Sequence, residues 1–311
     1  LINLKKIFSK RQVYDTIYMV LNTMSDGREY DMQKYKIAID SCGEIFKEWN
    51  GNPSFESIPL TLNVGGEEII DDETFDQASF LRKVAACPEC PKSACPSPNR
   101  YLEAFKCEAE HVYGVTLSAE LSGSYNSAQL AKDMLLEEQP GRKIHIFNSR
   151  SASIGESLIA MKVAELEEKH LPFEEIVRRV EAYIDTQNTF FVLESLETLR
   201  KNGRLSKMKA FVATALKIKP VLGSTPEGNI YQMDQARGVN KALLKMLDHI
   251  SEKTPDIANR VLALSHCNCL ERANMVKAAI QERLNPARII VVDTAGVSSM
   301  YANDGGIIVV V

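Results

Sequence analysis

Between residues 34 and 170 short apolar runs alternate with longer amphipathic stretches. Residues 36–40 read as a buried strand running into the turn Asp40-Ser41-Cys42-Gly43, and residues 58–64 as another, closed by Gly65-Gly66. Thr74, with Gln77 three residues on, has the spacing of a capping box and predicts a helix through about Ala86. Ser97-Pro98 predicts a second helix start, because proline suits the first helical position, and the pattern carries that helix to about Tyr113. A strand over 115–118, a helix capped by Ser122 and reaching Leu136, a strand over 143–147 and a helix over 153–169 complete this half. Alternation of this kind means parallel βαβ units, whose loops line a crevice at the carboxyl edge of the sheet. Serine-rich turns at Asp40-Ser41, at Ser118 and at Ser149-Arg150-Ser151 fall in such loops.

The second half has a different rhythm. Ile176, Val177, Val180, Tyr183 and Ile184 give one helical face. Strands are expected over 190–193, 229–234, 261–266, 289–293 and 307–311, with helices over 210–216, 239–250 and 270–284. This predicts a smaller second α/β layer, with a boundary near residue 170 and domains of 34–170 and 171–311. Residues 1–33 start basic and turn polar, with Ile7, Tyr14, Ile17, Tyr18 and Leu21 near helical spacing. They read as an extension carrying a surface helix.

Composition narrows the classes. Of 311 residues, 45% are hydrophobic and 25% charged, which is ordinary for a globular chain with material for a core and a ligand cavity. A net charge of −4 argues against broad nucleic-acid binding, which needs a basic face. No apolar run approaches the ~20 residues of a membrane helix, and the first residues lack the segments of a signal peptide. A cytoplasmic protein without stable membrane insertion is the expectation. Seven cysteines, an odd number in a long chain, do not suggest a disulfide scaffold. The chain opens on Leu1 rather than Met, compatible with a scar or a further domain upstream.

Four constellations carry candidate chemistry. The run Leu117-Ser118-Ala119-Glu120-Leu121-Ser122-Gly123-Ser124-Tyr125-Asn126-Ser127 places hydroxyls and a helix N-terminus in one loop, an environment that favours a carboxylate, though capping explains the same residues. It has neither the glycine spacing nor the lysine of a P-loop. The stretch Arg200–Lys207, continued by Lys209, Lys217 and Lys219, has no acid between Glu197 and Glu227. Such a stretch is a solvated face, unless the break at Gly203 lets Arg204 turn inward and offer its fork to a carboxyl or phosphoryl group. Cys87, Cys90, Cys95 and Cys107, with His111 near the last, are either zinc candidates or free thiols. Cys267-Asn268-Cys269 is too closely spaced for a relaxed disulfide and reads as structural. His266 closes a strand and serves either a site or its own loop. There is no GxSxG elbow, HExxH or GxGxxG after a strand, so a hydrolase or nucleotide enzyme has no positive support and no catalytic residue is assigned.

Taken in order, several of these segments resemble the DegV family of bacterial lipid-binding proteins. The resemblance runs from Lys36 to Val311 and rests on Asp40-Ser41, Ser93-Ala94-Cys95-Pro96-Ser97-Pro98, the 121–128 run and Asn148-Ser149-Arg150-Ser151-Ala152-Ser153-Ile154-Gly155. It continues through the 199–207 stretch, Ile218-Lys219-Pro220 and Ala236-Arg237-Gly238. It implies a two-domain α/β fold: a Rossmann-like, parallel-sheet N-terminal domain that holds the head group, and a smaller α/β sandwich that closes an acyl slot. It also implies a long-chain fatty acid as ligand, no cofactor, and a non-enzymatic role as the binding subunit of a fatty-acid kinase. A separate ATP-binding partner would phosphorylate the bound carboxyl. By position, Ser93 and Ser118 would hold the carboxylate, with Asp40, Ser41, Ser122, Gly123, Arg204, Arg237 and His266 near the head group. Near the C-terminus the family carries a histidine in a glycine-rich segment, roughly His-Thr-Gly-Pro-Gly, where this chain has Tyr301-Ala302-Asn303-Asp304-Gly305. The alternatives are an enzyme acting on a small phosphorylated or keto metabolite, and a zinc- or redox-responsive interaction module.

Overall fold

The computed structural model describes residues 34–206 and 217–311. The expected extension over 1–33 and the expected helix over 210–216 lie outside the described residues, as do Lys207 and Lys209.

Strand β1 (Tyr35–Asp40) is buried over its last four residues and pairs in parallel with β2 (Phe55–Ile58). The chain then builds an antiparallel hairpin of β3 (Thr61–Val64) and β4 (Glu67–Ile70), helix α1 (Gln77–Ala86) and strand β5 (Lys92–Ala94), which returns to pair with β3. The single strand expected over 58–64 is therefore two strands in two sheets. Pro59, which has no N–H for a ladder, sits at the break. Helix α1 is also opened differently from the expected capping box. Asp76 accepts from the Ser79 N–H, Thr74 donates to Asp72, and the Gln77 amide reaches Thr294 and Ser299.

Helix α2 (Pro98–Phe105) starts where Ser97-Pro98 predicts but stops eight residues short of Tyr113, because 111–116 is strand β6 (His111–Thr116). Every residue of β6 is buried, and its valines and Tyr113 suit a central strand better than a helix end. Cys107 and His111 accordingly do not share a helix face. Helix α3 (Ser124–Glu138), strand β7 (Lys143–Asn148) and helix α4 (Ile154–Glu167) follow. The first sheet is all parallel, in the order β2-β1-β6-β7. Tyr101, Phe105, Ala128 and Leu135 of α2 and α3 pack one face. Leu158 and Val163 of α4 pack the other, joined by Ile176 and Val180 of α5 (Phe173–Thr186). Helices on both faces leave the central strands β1 and β6 buried over most of their length.

The second sheet is mixed. Strand β8 (Thr189–Val192) and helix α6 (Glu197–Lys201) precede the gap, and β9 (Ile218–Ser224), β10 (Ile230–Arg237), α7 (Val239–Lys253), β11 (Val261–His266), α8 (Leu270–Arg283), β12 (Arg288–Asp293), α9 (Gly296–Ala302) and β13 (Ile307–Val310) follow it. Its order is β10-β9-β8-β13-β11-β12. Leu243, Met246 and Leu247 of α7 and Val276 and Ile280 of α8 cover one face. The other face meets α4, whose cluster includes Ala263 and Val310 of the second sheet as well as Ile37 and Tyr113 of the first. A helix that serves two sheets must be apolar all round, and residues 154–160 are buried without exception. Strand β9, with Pro220 and Gly223 inside it, was not legible as a strand. Among the described residues no helix is long and apolar enough to cross a membrane.

Candidate functional site

The loops at the carboxyl edge of the first sheet face the second sheet across a cavity of about 830 Å³ of atom-free space, its mouth included. The walls are mostly apolar. Leu117 and Leu121 come from the loop after β6, Leu60 from the β2–β3 break, Phe191 and Leu193 from β8 and its end, Leu199 from α6, Ile230 from β10 and Val297 from α9.

One polar group on this wall gathers from four segments. Ser93 of β5 places its hydroxyl 3.1 Å from the Tyr301 hydroxyl of α9. Arg204 lies beside them, its guanidinium carbon 5.6 Å from the centre of the Tyr301 ring. Its Nε donates to the Leu121 carbonyl at 3.1 Å and its Nη1 to the Asn202 carbonyl at 2.7 Å, so the fork is held inward by backbone oxygens rather than by an acid. Ser122 also lines the cavity. Burial raises the Tyr301 hydroxyl above its ordinary pKa, so it stays a neutral donor. A second polar group lies along Arg150, Ser151, Thr189 and Ser224, where the Ser151 and Thr189 hydroxyls meet at 2.6 Å.

Of the residues expected at the head group, Ser93, Ser122 and Arg204 line the cavity. Asp40, Ser41, Ser118 and Gly123 stand behind it. Asp40 is fully buried and accepts from the Leu117 N–H at 2.9 Å and the Cys42 N–H at 3.1 Å, tying the loops after β1 and β6 together. Ser41 donates to Asp71 at 2.9 Å, and Asp71 also accepts from the Gly296 and Val297 N–H groups at 2.7 and 2.8 Å, which anchors the start of α9. Only glycine fits at 296, since a Cβ there would stand 2.4 Å from an Asp71 oxygen. Gly123 precedes α3 with no side-chain cap, and the Ser122 oxygen accepts from the Ser124 N–H instead. Ser118 is fully buried and donates to the Gly228 carbonyl at 2.9 Å. Arg237, exposed at the end of β10, and His266 are not on the cavity wall. The His266 ring instead accepts from the Cys269 N–H and faces Asp293 at 3.1 Å, and burial lowers its pKa.

Behind the wall lie buried acids, of which sequence reasoning assigned Asp40 but not Glu44, Asp71 or Glu156. The Glu44 carboxyl accepts from the Ser153 hydroxyl at 2.5 Å and the Ala295 N–H at 2.7 Å, and burial pushes its pKa up to about 8. Burial likewise lifts Asp40 and Asp71 to about 6. Glu156 of α4 is fully buried, neither of its oxygens has a hydrogen-bond partner, and burial followed by the nearby Asp40 charge raises its pKa well above the ordinary value. Its sequence signal was an acid inside the run Ile154-Gly155-Glu156-Ser157-Leu158-Ile159-Ala160. Ligand atoms of Asp40, Cys42 and Glu156 lie within 4.8 Å of one another. Among the described residues this is the one grouping of three such side chains close enough for a single ion. Cys87, Cys90, Cys95 and Cys107 do not converge. The Cys90 sulfur accepts from Asn202, Cys95 lies beside Ser127, and Cys107 meets Arg142.

The family model for "Uncharacterised protein, DegV family COG1307" matches residues 34–311. A DegV domain-containing protein of Streptococcus pneumoniae is 35% identical over 257 residues, 83% of this chain and 90% of its own length. Among solved structures, a DegV-family protein of Ruminococcus gnavus refined with vaccenic acid is 49% identical, with a TM-score of 0.87 over 90% of this chain and all of that one. The Streptococcus pneumoniae fatty acid kinase B3 protein loaded with linoleic acid is 32% identical, with a TM-score of 0.81 over 89% of this chain and 99% of that one. A Eubacterium eligens DegV-family protein loaded with heptadecanoic acid is 28% identical, with a TM-score of 0.80 over 89% and 98%. Each of these three neighbours was solved with a fatty acid in place. The two sheets, the cavity between them and this match over nearly the whole described fold place the chain in the DegV family.

Proposed function

We propose that this chain binds a long-chain fatty acid in the cavity between its sheets and presents the carboxyl end to a partner kinase. The observation that carries the reading is the makeup of the cavity. Apolar walls run up to a cluster of Ser93, Tyr301 and Arg204, which brings a hydrogen-bonded pair of hydroxyls and a guanidinium to one small anionic group. The acyl chain supplies affinity at ~0.8 kcal/mol per buried CH₂. The hydroxyls hydrogen-bond the carboxylate, and the Arg204 guanidinium beside them supplies a countercharge that also suits the greater charge of an acyl phosphate. The loaded linoleic, vaccenic and heptadecanoic acids of the neighbours support this ligand class, and the kinase assignment of the pneumococcal neighbour supports the partner. The chain's own role ends at binding and presentation.

The test is acyl-phosphate formation from a C16 acid in the presence of ATP and a bacterial fatty-acid kinase subunit. Product should require this chain, and Arg204→Ala should lower the rate more than it lowers fatty-acid affinity. Tight fatty-acid binding without product, with several such kinases, would retain the carrier and remove the kinase role.

A further inference from the structure

Two hydroxyls of the second sheet line the cavity well away from the Ser93–Tyr301 pair. Thr189, Phe191 and Leu193 alternate along β8 and its end, and all three are on the wall. Leu193 packs in one apolar cluster with Leu121 and Tyr301, and the Leu121 carbonyl accepts from Arg204, so Leu193 marks the head-group end of this row. Thr189 lies four residues back, roughly 13 Å at about 3.3 Å per strand residue. The register that pairs Phe191 with Leu222 and Phe190 with Gly223 brings Thr189 opposite Ser224 of β9, which also lines the cavity. Side chains opposed in this way stand about 5 Å apart at Cβ, so one small group can touch both.

Both hydroxyls have capacity to spare. Thr189 meets Ser151 at 2.6 Å, and whichever of the two donates, Thr189 keeps at least one lone pair. Ser224 makes no side-chain hydrogen bond among the described residues, so its proton is open. Arg150, on the wall at this end, is already tied to Asp185 at 2.7 Å and to the Pro226 carbonyl at 3.3 Å, so the end does not call for a second carboxylate. A methylene uses neither hydroxyl, and a ketone, which only accepts, would use Ser224 alone. A hydroxyl donates to Thr189 and accepts from Ser224. We infer that the slot takes a fatty acid bearing a hydroxyl well down its chain, held between Thr189 and Ser224. An extended chain advances about 1.2 Å per bond, which puts that hydroxyl about eleven bonds from the head-group end, near C10 to C12. The inference rests on the fatty-acid reading above and narrows its substrate class.

Titration calorimetry of a C18 acid beside its 6-, 10- and 12-hydroxy relatives tests it. A hydroxyl buried without a partner should cost about tenfold or more in affinity, as expected for the 6-hydroxy acid, whose hydroxyl falls beside Phe191. The 10- or 12-hydroxy acid should bind at least as tightly as the plain acid. Thr189→Val, which keeps the shape and drops the hydroxyl, and Ser224→Ala should each weaken that hydroxy acid about tenfold and leave the plain acid as tight as before, and Thr189→Ser should retain binding. Hydroxy acids that all bind more weakly than the plain acid, or all bind alike, overturn the inference and leave the fatty-acid reading standing. So does a Thr189→Val variant that weakens the plain acid as much as the hydroxy acid, which would place the carboxyl at this end. Should a variant fail to fold, the wild-type series alone decides. No binding of any C18 acid removes the fatty-acid reading itself and this inference with it.

Discussion

The Ser93 hydroxyl lies 3.1 Å from the Tyr301 hydroxyl, joining a short edge strand to a helix 208 residues further along the chain. Both side chains line the cavity, and in the proposed function the pair holds the carboxylate. Hydrogen bonds to a charged group are worth about 1.5–3 kcal/mol each. Ser93→Ala and Tyr301→Phe should therefore each weaken fatty-acid binding about tenfold or more by titration calorimetry, with a smaller change in Tm. Because the Tyr301 pKa is raised, affinity should not change with any titration of Tyr301 below pH 9. Equal affinities for Tyr301→Phe and the wild type would place the carboxyl elsewhere, with the Arg150–Thr189 side of the wall as the next candidate.

Glu44 gives the fold a pH dependence of defined sign. Its carboxyl moves from an ordinary 4.5 to about 8 on folding. The folded state thus holds the proton where the unfolded state has lost it. The stability this contributes is full below about pH 4.5 and is lost as pH rises through about 8. Asp40 and Asp71 act in the same direction over a lower window, from 3.8 to about 6. The Tm should fall by several degrees between pH 5 and pH 8, and Glu44→Gln should flatten that slope. Calorimetric scans of both proteins in matched buffers check it. A wild-type Tm that rises over this range contradicts the assignment.

Glu156 has no hydrogen-bond partner for either oxygen. A buried carboxyl without partners costs stability whenever it must ionise. Glu156→Gln, which keeps the shape and cannot ionise, should raise the Tm at pH 8 by more than at pH 5. An equal change at both values would mean that folding does not raise the Glu156 pKa.

Ala302 lines the cavity from α9 and is almost fully buried. Ala302→Phe removes space for several methylenes, each worth ~0.8 kcal/mol. Affinity for a C18 acid should fall about tenfold or more relative to a C12 acid, at a cost of about 1–3 kcal/mol in stability from overpacking. A parallel loss for both chain lengths would show that this wall does not contact the tail.

Much of the architecture was legible because the strands of the first sheet are buried on both faces. Burial leaves the apolar run Ile37-Ala38-Ile39 in β1 and Ile146-Phe147 in β7, and β11 was read at its observed bounds. The reading failed where local signals pointed the wrong way. The periodic pattern after Ser97-Pro98 ran on past Phe105 into β6, and Pro59 divides two strands that look like one. At the site, Ser93 and Arg204 were found as hydroxyl and guanidinium in resembling segments, and both line the cavity. The acids Glu44 and Asp71 were not found, because a carboxylate partnered by distant N–H groups leaves no spacing in the chain. The Ser118–Gly228 contact, 110 residues apart, is likewise invisible until the second sheet folds over the first.

The central claim is that the cavity holds a fatty acid by its carboxyl. Native mass spectrometry with lipid extraction, on protein purified from a bacterial host without added lipid, tests it most directly. The account predicts a population carrying one C14–C18 acid per chain, depleted in Ser93→Ala combined with Tyr301→Phe. Protein that emerges empty and takes up no added fatty acid would contradict it.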